Sequence, residues 1–65
     1  MLPERALIEF INYVGDQINI ECAKEVLEIW GIDFNIALSH AIRKKWIKVE
    51  NDKIIKIYDK GNINE

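Results

Sequence analysis

Residues 31–58 read GIDFNIALSHAIRKKWIKVENDKIIKIY, and partway along this stretch the hydrophobic period changes from three-to-four to two. Asp33 is suited to cap a helix start, and Phe34, Ala37, Leu38, Ala41 and Ile42 then recur on one face, which predicts a helix of about Phe34–Lys45. Asn35, Ser39 and Arg43, spaced by four, share the opposite face with Ile36, His40 and Lys44 beside them. From Trp46 onward Ile47 and Val49 alternate with Lys48 and Glu50, Asn51 and Asp52 supply turn chemistry, and Lys53–Tyr58 alternates again. A helix therefore leads straight into a two-strand hairpin, and both carry bases.

The register of that hairpin depends on its loop. A two-residue loop at Asn51 and Asp52 sets Ile47 opposite Lys56 and mixes apolar and charged side chains on one face. A three-residue loop sets Val49 opposite Ile55 and Ile47 opposite Ile57, which sorts the faces, so the longer loop is expected. It also places Lys48 opposite Lys56 on the outer face. Like charges across a ladder destabilise a sheet unless an anion such as phosphate lies over them, or unless the two side chains splay into water.

Toward the N-terminus, Gly31 ends a second helix of about Ile20–Trp30 that Asn19 caps. Ala23, Val26, Leu27 and Trp30 form its core stripe, and Glu21, Lys24, Glu25 and Glu28 its wet face. Two helices joined by a short turn at Gly31, Ile32 and Asp33 make a helix-turn-helix. Gln17 and Ile18 leave room for a brief strand. Before it, Pro3 at the first helical position and Gly15 at the exit bound a first helix of Pro3–Val14. Arg5, Glu9, Asn12 and Asp16 make its polar stripe, and the remaining apolar face is wider than one small core needs. Two readings follow: the helix is central to the core, or part of it, with Ile8, Phe10, Ile11 and Tyr13 as the candidate interface, meets a partner chain. Beyond Tyr58 the periodicity stops, and residues 59–65 are expected to fray.

At 65 residues, 49% hydrophobic and 31% charged, the chain is expected to form one globular domain over residues 1–58. It has no apolar run near the roughly 18 residues of a membrane span, and its start lacks the basic and apolar segments of a signal peptide, so a cytoplasmic location is expected. Cys22 has no second thiol for a disulfide or a zinc site and reads as a small core residue. No nucleophile with a base, paired carboxylates, metal set or phosphate loop occurs at usable spacing, so no catalytic, metal-binding or cofactor-binding residue and no enzyme activity is expected. His40 stands alone and reads as a surface histidine, and Trp30 and Trp46, at helix ends, read as core. The net charge of −2 is unevenly spread: residues 1–33 hold seven acids against two bases, and residues 34–65 seven bases against four acids. A basic side and an acidic side are expected.

The order helix, strand, helix, helix, strand, strand defines an α+β, mostly helical domain. With Ile18 and Asn19 at the strand-to-helix step, Ala23, the Gly31–Asp33 turn, and Lys45, Trp46 and Ile47 ahead of the hairpin, the chain resembles the winged helix-turn-helix superfamily over Pro3–Tyr58. Leu27 stands where members often have a small residue, and Trp46 where they often have a glycine.

The resemblance implies a small DNA-binding protein, a transcriptional or replication accessory, with the third helix in the major groove of double-stranded DNA and the hairpin wing on the backbone. Asn35 would pair an adenine edge and Arg43 a guanine edge, Ser39 or His40 a base or a phosphate, and Ile36 a thymine methyl. Lys44, Lys48, Lys53 and Lys56 would position the backbone. A homodimer through the first helix fits that role. Winged helices also serve in protein interaction, so the alternative is a module that docks onto a larger assembly through the apolar face of the first helix. Net acidity favours it.

Overall fold

Pro3 and Gly15 bound the first helix as their backbone preferences require. In the computed structural model, which describes residues 2–15 and 17–58, helix α1 is Pro3–Val14. Gly15 leaves it at φ 145° and ψ −169°, a conformation open in practice only to glycine, and donates its N–H to the Ile11 carbonyl. Strand β1 is Gln17–Asn19, and the Asn19 side chain then accepts from the Glu21 and Cys22 amides to start helix α2, Ile20–Ile29. Helix α3 is Phe34–Arg43, capped by Asp33 through the Ile36 amide. Strands β2, Ile47–Glu50, and β3, Lys53–Lys56, complete the domain. Asp16, the last residue of the expected polar stripe, and the expected fraying of residues 59–65 lie outside the described residues.

Helices α2 and α3 end in the same device. In each, the N–H two positions past the cap returns to the carbonyl five residues back, Ile32 to Leu27 and Trp46 to Ala41, and the N–H before it bonds a carbonyl three back, Gly31 to Glu28 and Lys45 to Ile42. The device needs a left-handed residue, supplied by Gly31 at φ 78° and by Lys45 at φ 63°. Trp46 therefore does not take over the role of the missing glycine; Lys45 does. The expected ends Trp30 and Lys45 correct to Ile29 and Arg43, because a left-handed residue stops the helical ladder two positions later.

The three strands form an antiparallel sheet in the order β1-β3-β2. Its register corrects the expectation. Ile47 pairs with Lys56, Lys48 with Ile55, Val49 with Ile54 and Glu50 with Lys53, so the loop has two residues. Asn51 at φ 50° and Asp52 at φ 62° are both left-handed, the condition of a type I′ turn, whose twist matches that of the strands it joins. The turn is tied down, since the Asp52 carbonyl accepts the first N–H of α2 from Ile20.

On the inner face, Ile18 of β1, Ile54 of β3 and Ile47 of β2 are at most 6% exposed. They pack on Leu7, Ile8 and Ile11 of α1, Leu27 of α2, and Phe34, Ala37 and Ala41 of α3. Trp46 joins this core, as expected, while Trp30 is half exposed and Cys22 exposed. Three helices with a C-terminal hairpin thus form the α+β architecture expected of the chain. No helix among the described residues is long and apolar enough to cross a membrane.

Candidate interaction surfaces

The residues expected to meet DNA divide into two groups. Asn35, Ser39 and Arg43 stay exposed, one turn apart along the outer face of α3, with Ile36 among them at 44% exposed. The rest are engaged with the protein's own side chains or turned elsewhere. Lys48 reaches Glu50 on its own strand at 3.2 Å, and Lys53 sits directly opposite Glu50 across the ladder. Because the register places Ile47 opposite Lys56, Lys56 shares the inner face with the core isoleucines, and its ammonium lies 5.0 Å from the centre of the Tyr58 ring. Lys48 and Lys56 consequently point to opposite faces of the sheet, and the expected lysine pair on one outer face does not form. A glutamate stands between Lys48 and Lys53 where a phosphate-binding surface needs only cations.

Lys44 and His40 turn to α1. Glu4, in the first turn of that helix, is 3% exposed; its Oε2 lies 2.9 Å from Lys44 Nζ and its Oε1 3.3 Å from His40 Nδ1. The Lys44 ammonium, and then the carboxylate's own backbone N–H, hold the Glu4 carboxyl down to about 2 against the opposing effect of burial, with His40 adding to the same side. Lys44 Nζ also lies 4.7 Å from the centre of the Trp46 ring. The group is a structural clamp between the start of α1 and the end of α3. Sequence reasoning missed Glu4, although the signal was present: Glu4, Ile8 and Ile11 follow i, i+4, i+7, so the carboxylate lies on the buried stripe and needs a cation from the facing helix.

The expected partner surface on α1 is corrected by burial. Ile8 is 1% exposed, Ile11 is fully buried and Phe10 is 8% exposed; the wide apolar face is consumed by packing on α3, α2 and the sheet. Tyr13 alone of the four projects, at 90% exposed. It lies beside an unforeseen feature. The ends of α1 and α2 converge on a cleft of 310 Å³ lined by Glu9, Phe10, Tyr13 and Trp30. Phe10 and Trp30 form two of its walls at right angles, with ring centres 5.8 Å apart. Val14 and Ile29, next to these aromatics in the chain, are 50% and 82% exposed. Across the rest of α2, Glu21, Glu25 and Glu28 are exposed, with Lys24 among them.

Among the described residues no three of His, Cys, Asp and Glu gather to hold a metal ion. No family model, curated protein or solved structure matches the chain.

Proposed function

We propose that the chain is a cytosolic protein-interaction module that docks onto a partner protein through the aromatic cleft between α1 and α2. The carrying observation is that two large aromatic side chains, Tyr13 and Trp30, are 90% and 52% exposed and line one concave site. Aromatic residues gathered at a cavity are the usual anchors of protein interfaces, because they bury much area at little entropic cost. The test compares recovery of partners from the native extract by the wild-type chain and by a Tyr13→Ser/Trp30→Ser variant whose amide spectrum keeps its dispersion. A partner bound by the first and lost by the second supports docking at the cleft; equal recovery of every partner removes it.

DNA binding is the second reading, in which the winged-helix likeness extends to the family's role. Its specific support is the intact exposed row Asn35, Ser39 and Arg43 on α3. It ranks second because His40, Lys44, Lys48 and Lys56 each face a carboxylate or a ring of the protein itself. Titration of a fluorescent duplex at several salt concentrations separates the two. Docking alone predicts affinity no tighter than about 100 μM at low salt, the weak end of non-specific binding. A micromolar affinity that falls steeply with salt and is lost in Arg43→Ala reverses the ranking.

A further inference from the structure

Resting on the docking reading, we propose that the partner is a second copy of this chain, taken head to tail: the outer face of α3 of one copy sets Ile36 into the aromatic cleft of the next, and its bases meet the carboxylates of α2. The walls of the cleft are almost wholly apolar, so the group that fills it is apolar and charge acts beside it. The chain's own α3 offers that combination. Ile36 is 44% exposed and stands two turns before the exposed Arg43 on one face of the helix, with Ser39 between them. An apolar side chain and a cation therefore share a stripe that the fold leaves uncovered.

Charge selects this pairing over the others. No acid occurs from Phe34 to Val49, a stretch that holds Arg43, Lys44, Lys45 and Lys48. Lys44 is engaged by Glu4 and Lys48 by Glu50, while Arg43 and Lys45 are exposed at the end of α3. On α2, Glu21, Glu25 and Glu28 are exposed with Lys24 as the one base of that helix, and Trp30 at its end forms a wall of the cleft. A two-fold contact of α2 on α2 would oppose these carboxylates to their own copies, and like charges at an interface repel. Setting α3 of one copy on α1 and α2 of another opposes bases to acids instead. The two surfaces share no residue, so each copy can use both, and association continues to a ring or an open chain rather than stopping at two. Its apolar part is small, one isoleucine among the rings, which makes the contact weak and sensitive to salt.

The test follows the mass of the intact chain by sedimentation equilibrium from micromolar to millimolar concentration, at low and at high salt. The average mass is expected to rise with concentration past that of two chains and to fall back as salt rises. Two variants separate the surfaces, each checked for amide dispersion: Tyr13→Ser/Trp30→Ser removes the cleft, and Ile36→Ser/Arg43→Glu removes the α3 face. Each alone should remain a single chain, whereas their equimolar mixture should form a complex of two chains and grow no further, since only one usable contact is left. Glu25→Gln/Glu28→Gln, which leaves every apolar group in place, should weaken association of the otherwise wild-type chain by about threefold or more. Association retained by either surface variant alone, or a mixture that stays monomeric while wild type associates, overturns the head-to-tail contact. A wild-type chain that stays single at every concentration overturns the second copy as partner and leaves the docking reading to the extract comparison; equal recovery there as well overturns both.

Discussion

At the scale of single residues, two side chains occupy positions that composition would not assign to them. Lys45 holds a left-handed conformation at φ 63° where glycine has no steric penalty. The strain for a side chain there is about 1–2 kcal/mol, partly offset because glycine gains more freedom in the unfolded chain, so Lys45→Gly should stabilise by about 0.5–1 kcal/mol in urea denaturation. Gly31→Ala, at the equivalent position of α2, should cost a similar amount even though nothing lies within 4 Å of the added carbon. Glu4 is the other case. Its carboxyl is held at about 2 folded against 4.5 as the ordinary value, so between these limits the unfolded chain binds more protons than the folded one. The clamp's contribution is therefore complete above pH 4.5 and is lost as pH falls through about 2. Lys44 and His40 are 35% and 41% exposed, and water screens the group, so the expected contribution is only about 1–2 kcal/mol. Denaturation of wild type and Glu4→Gln from pH 6 to pH 2 checks it: the two stability curves should converge toward the acid end, and a constant separation would refute the assignment.

At the scale of elements, the termini of α1 and the caps of α2 and α3 were legible because each rests on one or two residues with narrow preferences: Pro3, Gly15, Asn19 and Asp33. The hairpin register was not, because two principles competed. Sorting apolar from charged side chains favours the longer loop, whereas two consecutive residues that tolerate the left-handed region favour the two-residue turn. The turn prevails at small cost, since Lys56 on the inner face is only half buried and sets its ammonium against the Tyr58 ring. Of the candidate sites, the α3 row was legible from its spacing of four. The Glu4 clamp and the aromatic cleft were not, for both join residues far apart in sequence, Glu4 with Lys44 and Phe10 with Trp30. The turn assignment makes its own prediction. Asp52→Gly, completing the Asn-Gly pair preferred by type I′ turns, should stabilise by about 0.5–1 kcal/mol. Contacts between protons of Ile47 and Lys56 should persist in its NMR spectrum; contacts between Ile47 and Ile57 instead would mean that the three-residue loop is the native one.

At the scale of the whole molecule, a 65-residue chain has little apolar material to spare, yet this one leaves Tyr13, Val14, Ile29, Trp30, Ile36 and Ile42 between 44% and 90% exposed. Stability per residue of about 0.05–0.15 kcal/mol gives roughly 3–10 kcal/mol in total for a domain of this length. Against so small a margin, the distinction between apolar residues that hold the fold and those that do not can be measured. Leu27 is fully buried where α2 meets the rest of the core, so Leu27→Ala should cost about 2–5 kcal/mol by loss of burial and by the cavity left behind, enough to unfold a substantial part of the population. Tyr13→Ser and Ile29→Ser remove side chains of comparable or greater size from exposed positions and should each change stability by less than about 0.5 kcal/mol. Urea denaturation of the three variants gives the comparison, with the far-ultraviolet spectrum at zero denaturant reporting the folded fraction from which each starts. If Tyr13→Ser or Ile29→Ser proves as damaging as Leu27→Ala, those side chains belong to the folding core and the cleft is not a surface held in reserve for a partner; if both are silent, the molecule carries apolar surface that its own stability does not use.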